Sequence, residues 1–156
     1  SQTIESECGT FRYAKWEQLE GEKGICLVLG LEPSMSDGRS FEICKEFATR
    51  HGYGTLAFVY LFAEPSDHPK VPFGAIGPDT DAWILKLAEH AELIIGAWGD
   101  FPRIGPRVRA VSKMIADHDI YAIQTNRNGT PTNPLAWKRK AAKLYRAKSQ
   151  SGQKAS

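Results

Sequence analysis

Gly24-Ile25-Cys26-Leu27-Val28-Leu29-Gly30-Leu31 is a run of eight residues without a charge, and it delivers the chain into Glu32-Pro33-Ser34. A strand with one wet face alternates apolar and polar residues. A run that does not alternate suits a strand covered on both faces, as in a parallel sheet. Three further runs have the same character: residues 55–62 (TLAFVYLF), 92–98 (ELIIGAW) and 119–125 (DIYAIQT). Helical patterns lie between them. Ser40 is placed to cap a helix whose apolar face is Phe41, Cys44, Phe47 and Ala48. Asp79 is placed to cap a second carrying Trp83, Leu87, Ala88 and Ala91, and Val108, Val111 and Ile115 mark a third. Strand alternating with helix predicts an α/β domain, a three-layer sandwich around a central, mostly parallel, four-stranded sheet. Residues 11–16 are expected to add an edge strand or hairpin. Residues 63–78 carry Pro65, Pro69, Pro72 and Pro78, too many for helix or sheet interior, and a connection of that length is expected to be functional.

The totals fit this picture. A chain of 156 residues makes one domain, here drawn over residues 1–148 with 149–156 as a disordered basic and polar tail, and burial of about 70% of the unfolded surface needs no staple. No apolar run approaches a membrane span, and Ser1 to Glu7 lacks the features of a signal peptide. Cys8, Cys26 and Cys44 are odd in number and read as reduced thiols of a cytoplasmic protein. Metal-ligand spacing is absent, since there is no C-x-x-C and the four histidines are scattered. Charge is uneven: seven of the 20 Lys and Arg residues fall in residues 138–156, which hold no acid, leaving 13 bases against 18 acids in the rest. A basic tail on an acidic body suits contact with a polyanion, and equally a solvated tail that aids solubility.

Ligands of open parallel sheets bind beyond the carboxyl ends of the strands. The residues just past each strand therefore outline the cleft: Glu32-Pro33-Ser34-Met35-Ser36, then Tyr60 and Glu64, then Trp98-Gly99-Asp100, then residues 126–135. Singly these are weak signals. Glu32 could cap a helix and Asn133 could hold a turn. No glycine-rich phosphate loop is present, and no histidine comes after these strand ends to build a serine triad.

Together the segments resemble a known family along nearly the whole chain. C-G-x-F-R-Y at residues 8–13, L-x-x-x-P-S at 29–34, G-Y-G at 52–54, L-F-A at 61–63, G-P-x-x-D at 77–81, A-W-G at 97–99 and G-x-P-x-N-P-L at 129–135 are similar to the bacterial and phage domain-of-unknown-function family 1643. That family typically reads N-P-S at Glu32-Pro33-Ser34, H-P-L at Asn133-Pro134-Leu135, and Asn in place of Tyr60. More distantly, the order of strand ends resembles the uracil-DNA glycosylase superfamily. Its G-Q-D-P-Y or G-I-N-P-G motif is similar to residues 30–34, its H-P-S-P-L or N-P-S-G-L motif to residues 133–135, and its W-G strand end to Trp98-Gly99.

That resemblance implies a fold of the uracil-DNA-glycosylase kind and a cofactor-free enzyme that hydrolyses the N-glycosidic bond of a base in DNA, leaving an abasic site. Glu32 and Asn133 take the catalytic positions: a carboxylate that stabilises an oxocarbenium-like sugar or orients water, and a donor to the leaving base. Ser34, Phe41, Tyr60 and Trp98 are expected in the base pocket. Ser36, Leu135, Trp137, Lys138, Arg139 and Lys140 are expected on DNA, with Leu135 or Trp137 as the wedge for a flipped base. Phe41 and Tyr60 could equally be core. The departures matter. Ser34 replaces a tyrosine that excludes C5 substituents and Tyr60 replaces an asparagine that reads uracil, so the expected substrate is a modified pyrimidine, such as a hypermodified phage base. The rival readings are a non-catalytic nucleic-acid or nucleotide-binding module and an enzyme of free nucleotides.

Overall fold

The computed structural model describes residues 1–65, 74–138 and 141–145. Among these residues seven strands form one mixed sheet in the order β1-β2-β4-β3-β5-β6-β7. The apolar run that begins at Gly24 falls in β3 (Lys23–Gly30), with β4 (Tyr53–Tyr60) and β5 (Ala91–Ala97) paired parallel to it on either side. β6 (Tyr121–Ala122) continues the parallel set beyond β5. Among the described residues the expectation of a four-stranded sheet is corrected to seven strands, and the edge hairpin expected at residues 11–16 is present. β1 (Gln2–Glu5) and β2 (Arg12–Gln18) add an antiparallel hairpin on the β4 side, and β7 (Lys143–Leu144) pairs antiparallel with β6.

The covered faces explain the unbroken apolar runs. α1 (Gly38–Arg50) lies on one face, where Phe41, Cys44, Phe47 and Ala48 pack on Cys26, Val28, Leu56, Phe58 and Ile95. α2 (Thr80–His90) and α3 (Gly105–Met114) share the other face, where Ile84, Ala88 and Val111 join Leu27, Leu29, Ala57, Val59 and Ile94. Alternate residues of β3 and β4 thus feed two apolar layers. The cap of α1 is Asp37, not Ser40, which lies inside the first turn and is buried. Asp79 does occupy the cap position of α2, without a side-chain capping bond.

The two ends of the Pro-rich connection are tied together: Ala63 N donates to Ile76 O at 3.3 Å, Glu64 N to Ala75 O at 3.2 Å, and Ala75 N to Glu64 Oε1 at 2.8 Å. Its centre, residues 66–73, lies outside the described residues, as do Arg139, Lys140 and residues 146–156 with the tail expected there. No helix among the described residues is long and apolar enough to cross a membrane. No group of three or more His, Cys, Asp or Glu among them is placed to hold a metal ion. All three cysteines are unpaired thiols.

Candidate functional site

The carboxyl end of β3 turns at once into a short 3-10 helix, Pro33–Ser36, because proline at its first position has the φ a helix needs and no N–H to waste. Glu32 caps it. Its Oε1 accepts from Ser34 N at 3.0 Å and its Oε2 from the Ser34 hydroxyl. Glu32 is only 5% exposed, whereas Ser34 stands in solvent. A carboxylate has about four lone-pair sites, so two acceptor sites remain beyond those that Ser34 takes.

A second 3-10 helix, Pro134–Ala136, repeats the plan at the other end of the chain. Asn133 caps it, with Oδ1 accepting from Leu135 N at 2.8 Å. An N–H can only be met by the amide oxygen, so that bond fixes the orientation of the amide. Its Nδ2 donors are left uncommitted among the described residues. The turn is fastened to the sheet by Gly99 N, which donates to Pro131 O at 2.9 Å. Gly99 has φ of 80°, and a Cβ there would stand 3.0 Å from the Phe101 ring and 4.0 Å from Asn133 Cβ. Only glycine fits this crossing without strain. Because Gly30 is in register with Ala97, the Glu32 turn and the Asn133 turn reach adjacent strand ends, and both pack on α1.

The aromatic side chains expected to line a base pocket are elsewhere. Trp98 is 1% exposed and lies in the core, edge-on to Tyr145 with centroids 5.7 Å apart. Its ring covers Gly96, where a Cβ would come within 2.7 Å of it. Tyr60 is 1% exposed and its hydroxyl is paired with Ser36 Oγ at 2.7 Å; burial pushes that phenol well above its ordinary range, so it stays neutral. Phe41 packs against Phe58 with centroids 6.0 Å apart. These three have no face to offer a ligand at the surface. Ser36 is likewise corrected from a DNA contact to a buried linker, since its hydroxyl also donates to Pro33 O at 2.7 Å. The half-buried ring that the strand ends do present is Phe101, beside Gly99.

Sequence reasoning quoted Arg12 but missed its work. Arg12 donates to Pro33 O at 3.3 Å and, through both oxygens, to Asp37 at 2.9 and 3.0 Å, while Lys15 Nζ reaches Ser36 O at 2.6 Å and Asp37 at 3.1 Å. Burial works against the Asp37 charge, but the bonds from Arg12 and Lys15 outweigh it and hold the carboxyl below its ordinary value. Two basic residues in a strand with aromatic neighbours were the available signal.

Leu135 is 58% exposed, and Trp137 is half-buried, edge-on to Phe47 at 6.2 Å between centroids, with Nε1 donating to Thr132 O at 3.2 Å. Lys138 is exposed and its backbone N–H donates to Gln124 Oε1 at 2.9 Å. A groove of about 220 Å³ separates this turn from α1. A larger cavity of about 660 Å³ lies between α2 and the sheet, walled by Trp16, Ile25, Thr55, Ala57, Trp83 and Leu87. It sits at the amino ends of β3 and β4, away from the Glu32 turn, so size alone does not choose the site.

A family model for proteins of unknown function, DUF1643, matches residues 12–135. The chain belongs to this family. The match runs from Arg12 to Leu135 and so takes in both capped turns and the carboxyl ends of β3, β4 and β5. No curated protein and no solved structure matches the chain.

Proposed function

We propose that this DUF1643 protein is a DNA glycosylase that hydrolyses the N-glycosidic bond of a modified pyrimidine. The observation that carries the reading is the pairing of a nearly buried carboxylate, Glu32, with an amide of fixed orientation, Asn133, at neighbouring strand ends. Bond cleavage builds positive charge on the sugar and negative charge on the departing base. A carboxylate with two open acceptor sites serves the first and can hold the attacking water. Free Nδ2 donors serve the second, and such a preorganised donor accounts for roughly a hundred- to a thousandfold in rate in other enzymes. The likeness of these turns to the motifs of uracil-DNA glycosylases supports the same assignment.

Substrate class comes from the side chains around the pair. Ser34 is small and exposed where the uracil enzymes carry a ring, which leaves room at the pyrimidine C5. Tyr60 is committed to Ser36 and supplies no amide for uracil. In this reading Phe101, half-buried beside Gly99, is the ring that stacks on the base. Incubation with DNAs carrying bulky C5-modified pyrimidines should generate abasic sites faster than DNA carrying plain uracil, and Ser34→Tyr should slow the bulky substrate selectively. Equal or faster release of uracil would overturn the substrate class.

One observation favours a second reading, a binding module without chemistry: Glu32 accepts from both donors of Ser34, as a purely structural cap would. A folded protein that binds DNA and releases no base across the panel would establish it.

A further inference from the structure

Base release by Glu32 and Asn133 makes no use of the outer face of α1. Arg39, Ile43, Glu46, Phe47 and Arg50 line the 220 Å³ groove opposite Leu135 and Trp137. The groove is too small for the drug-sized ligands that fill pockets of about 300–1,000 Å³, but suits one planar group. Its walls are apolar and aromatic in the middle, with the Trp137 indole held in place by its bond to Thr132 O. Its ends are cationic. Arg39 and Arg50, both exposed, stand eleven residues apart, about 16 Å along the helix axis at about 1.5 Å per residue. Arg50 is paired with Glu46 at 3.0 Å, while Lys138 stands exposed at the end of the turn and leads into Arg139 and Lys140 in the sequence. The groove is continuous with the Asn133 turn, because Leu135, on its rim, donates its N–H to Asn133.

We infer that this groove holds the nucleotide next to the reacting one, its base seated against Trp137 and Ile43, with phosphates of the same strand several nucleotides apart on Arg39 and Arg50. An apolar slot bracketed by cations is what a nucleic-acid strand requires: stacking on an aromatic ring tolerates any base, and the phosphates on either side need positive partners. The 16 Å between the arginines exceeds the roughly 3.4 Å rise per nucleotide several times over, so the two meet different phosphates. The inference rests on the proposed function for the neighbour's identity, but its binding claim stands apart from base release.

The test is binding of fluorescein-labelled single- and double-stranded 20-mers by the full chain, followed by anisotropy across a salt series. The double variant Arg39→Glu, Arg50→Glu should weaken binding roughly tenfold or more, and the log Kd against log salt slope for duplex should fall by roughly 1.8, at about 0.9 per phosphate contact. DNA should quench tryptophan emission in the parent protein, and Trp137→Phe should remove that quench while Trp16, Trp83 and Trp98 remain. Glu46→Gln, which removes the acid among the described residues that line the groove, should tighten binding. Unchanged affinity and slope in the charge-reversed protein would overturn the inference even if base release were intact. Absence of base release with these binding losses present would overturn the glycosylase reading and leave the groove assignment standing.

Discussion

Glu32-Pro33-Ser34 and Asn133-Pro134-Leu135 are built alike and end up chemically different. Each is a cap residue, a proline at the first helical position and a short 3-10 turn, with the cap's side-chain oxygen accepting the N–H two residues on. Both turns pack on α1. The first leaves a central strand of the sheet, so its cap is 5% exposed; the second arrives on a loop, so its cap is half-buried and its residue Leu135 is 58% exposed. One local motif thus places an acceptor in a sheltered position and a donor at the rim. Burial, not motif, divides the labour.

This division of labour is tested most severely at Glu32. Glu32→Gln keeps an oxygen for Ser34 N but loses the negative charge, and base release should drop by roughly a thousandfold, the middle of the range for a positioned acid or base. DNA affinity should change little; a rate like the parent's removes Glu32 from the chemistry. At the other turn two substitutions separate cap from donor. Asn133→Asp retains an acceptor for Leu135 N and loses the Nδ2 donors, so release should fall by about a hundredfold with the melting temperature nearly unchanged. Asn133→Ala loses both, and should also cost about 1 kcal/mol of stability. If Asp and Ala variants behave alike in melting and rate, the two roles are not separable.

Smaller effects probe the contrast in burial. Ser36→Ala removes one bond of the buried Tyr60 hydroxyl and leaves it Arg12 as a neighbour, and urea unfolding should show a loss of about 1 kcal/mol. Ser34→Ala, at a solvent-exposed position, should cost less. The smallest effect is in acid. Asp37 sits below its ordinary value in the folded protein, so its contribution to stability is present above about pH 4 and is lost as pH falls through the folded value. Asp37→Asn should flatten that acid limb, and added salt should shrink the difference, because the side chain is half exposed.

Much of the frame was legible because the runs around β3, β4 and β5 are apolar on both faces, which little else than a covered strand explains. Of the edges, residues 11–16 were read as a strand and lie mostly in β2, but β1 and β7 were not read. Gln2–Glu5 is polar and Lys143–Leu144 is two residues long, and neither is long enough to show an apolar period. The run at 119–125 also promised more than β6 delivers: Thr125 leaves the sheet to bridge Pro131, and Gln124 accepts from Thr132 instead. In the site, the two caps could be read from strand end followed by proline. The fate of the aromatic side chains could not be read so simply. Tyr60 shares a face with Leu56 and Phe58, and Trp98 turns back over Gly96. Both positions look exposed when taken as strand ends and prove buried once the layers above them are in place.

The three unpaired thiols have one practical consequence. Burial pushes Cys26 up to about 12 and Cys44 higher still, whereas hydrogen bonding with Thr10 and then Ser6 brings the exposed Cys8 down to about 7. Only the thiolate reacts with an alkylating dye, so a maleimide at neutral pH should mark Cys8 alone. Cys8 lies in the turn between β1 and β2, and β2 starts where Arg12 N meets Ala63 O just past the end of β4. A reporter fluorophore would therefore stand at the same end of the sheet as Glu32, where it would test whether the unmutated protein binds DNA there.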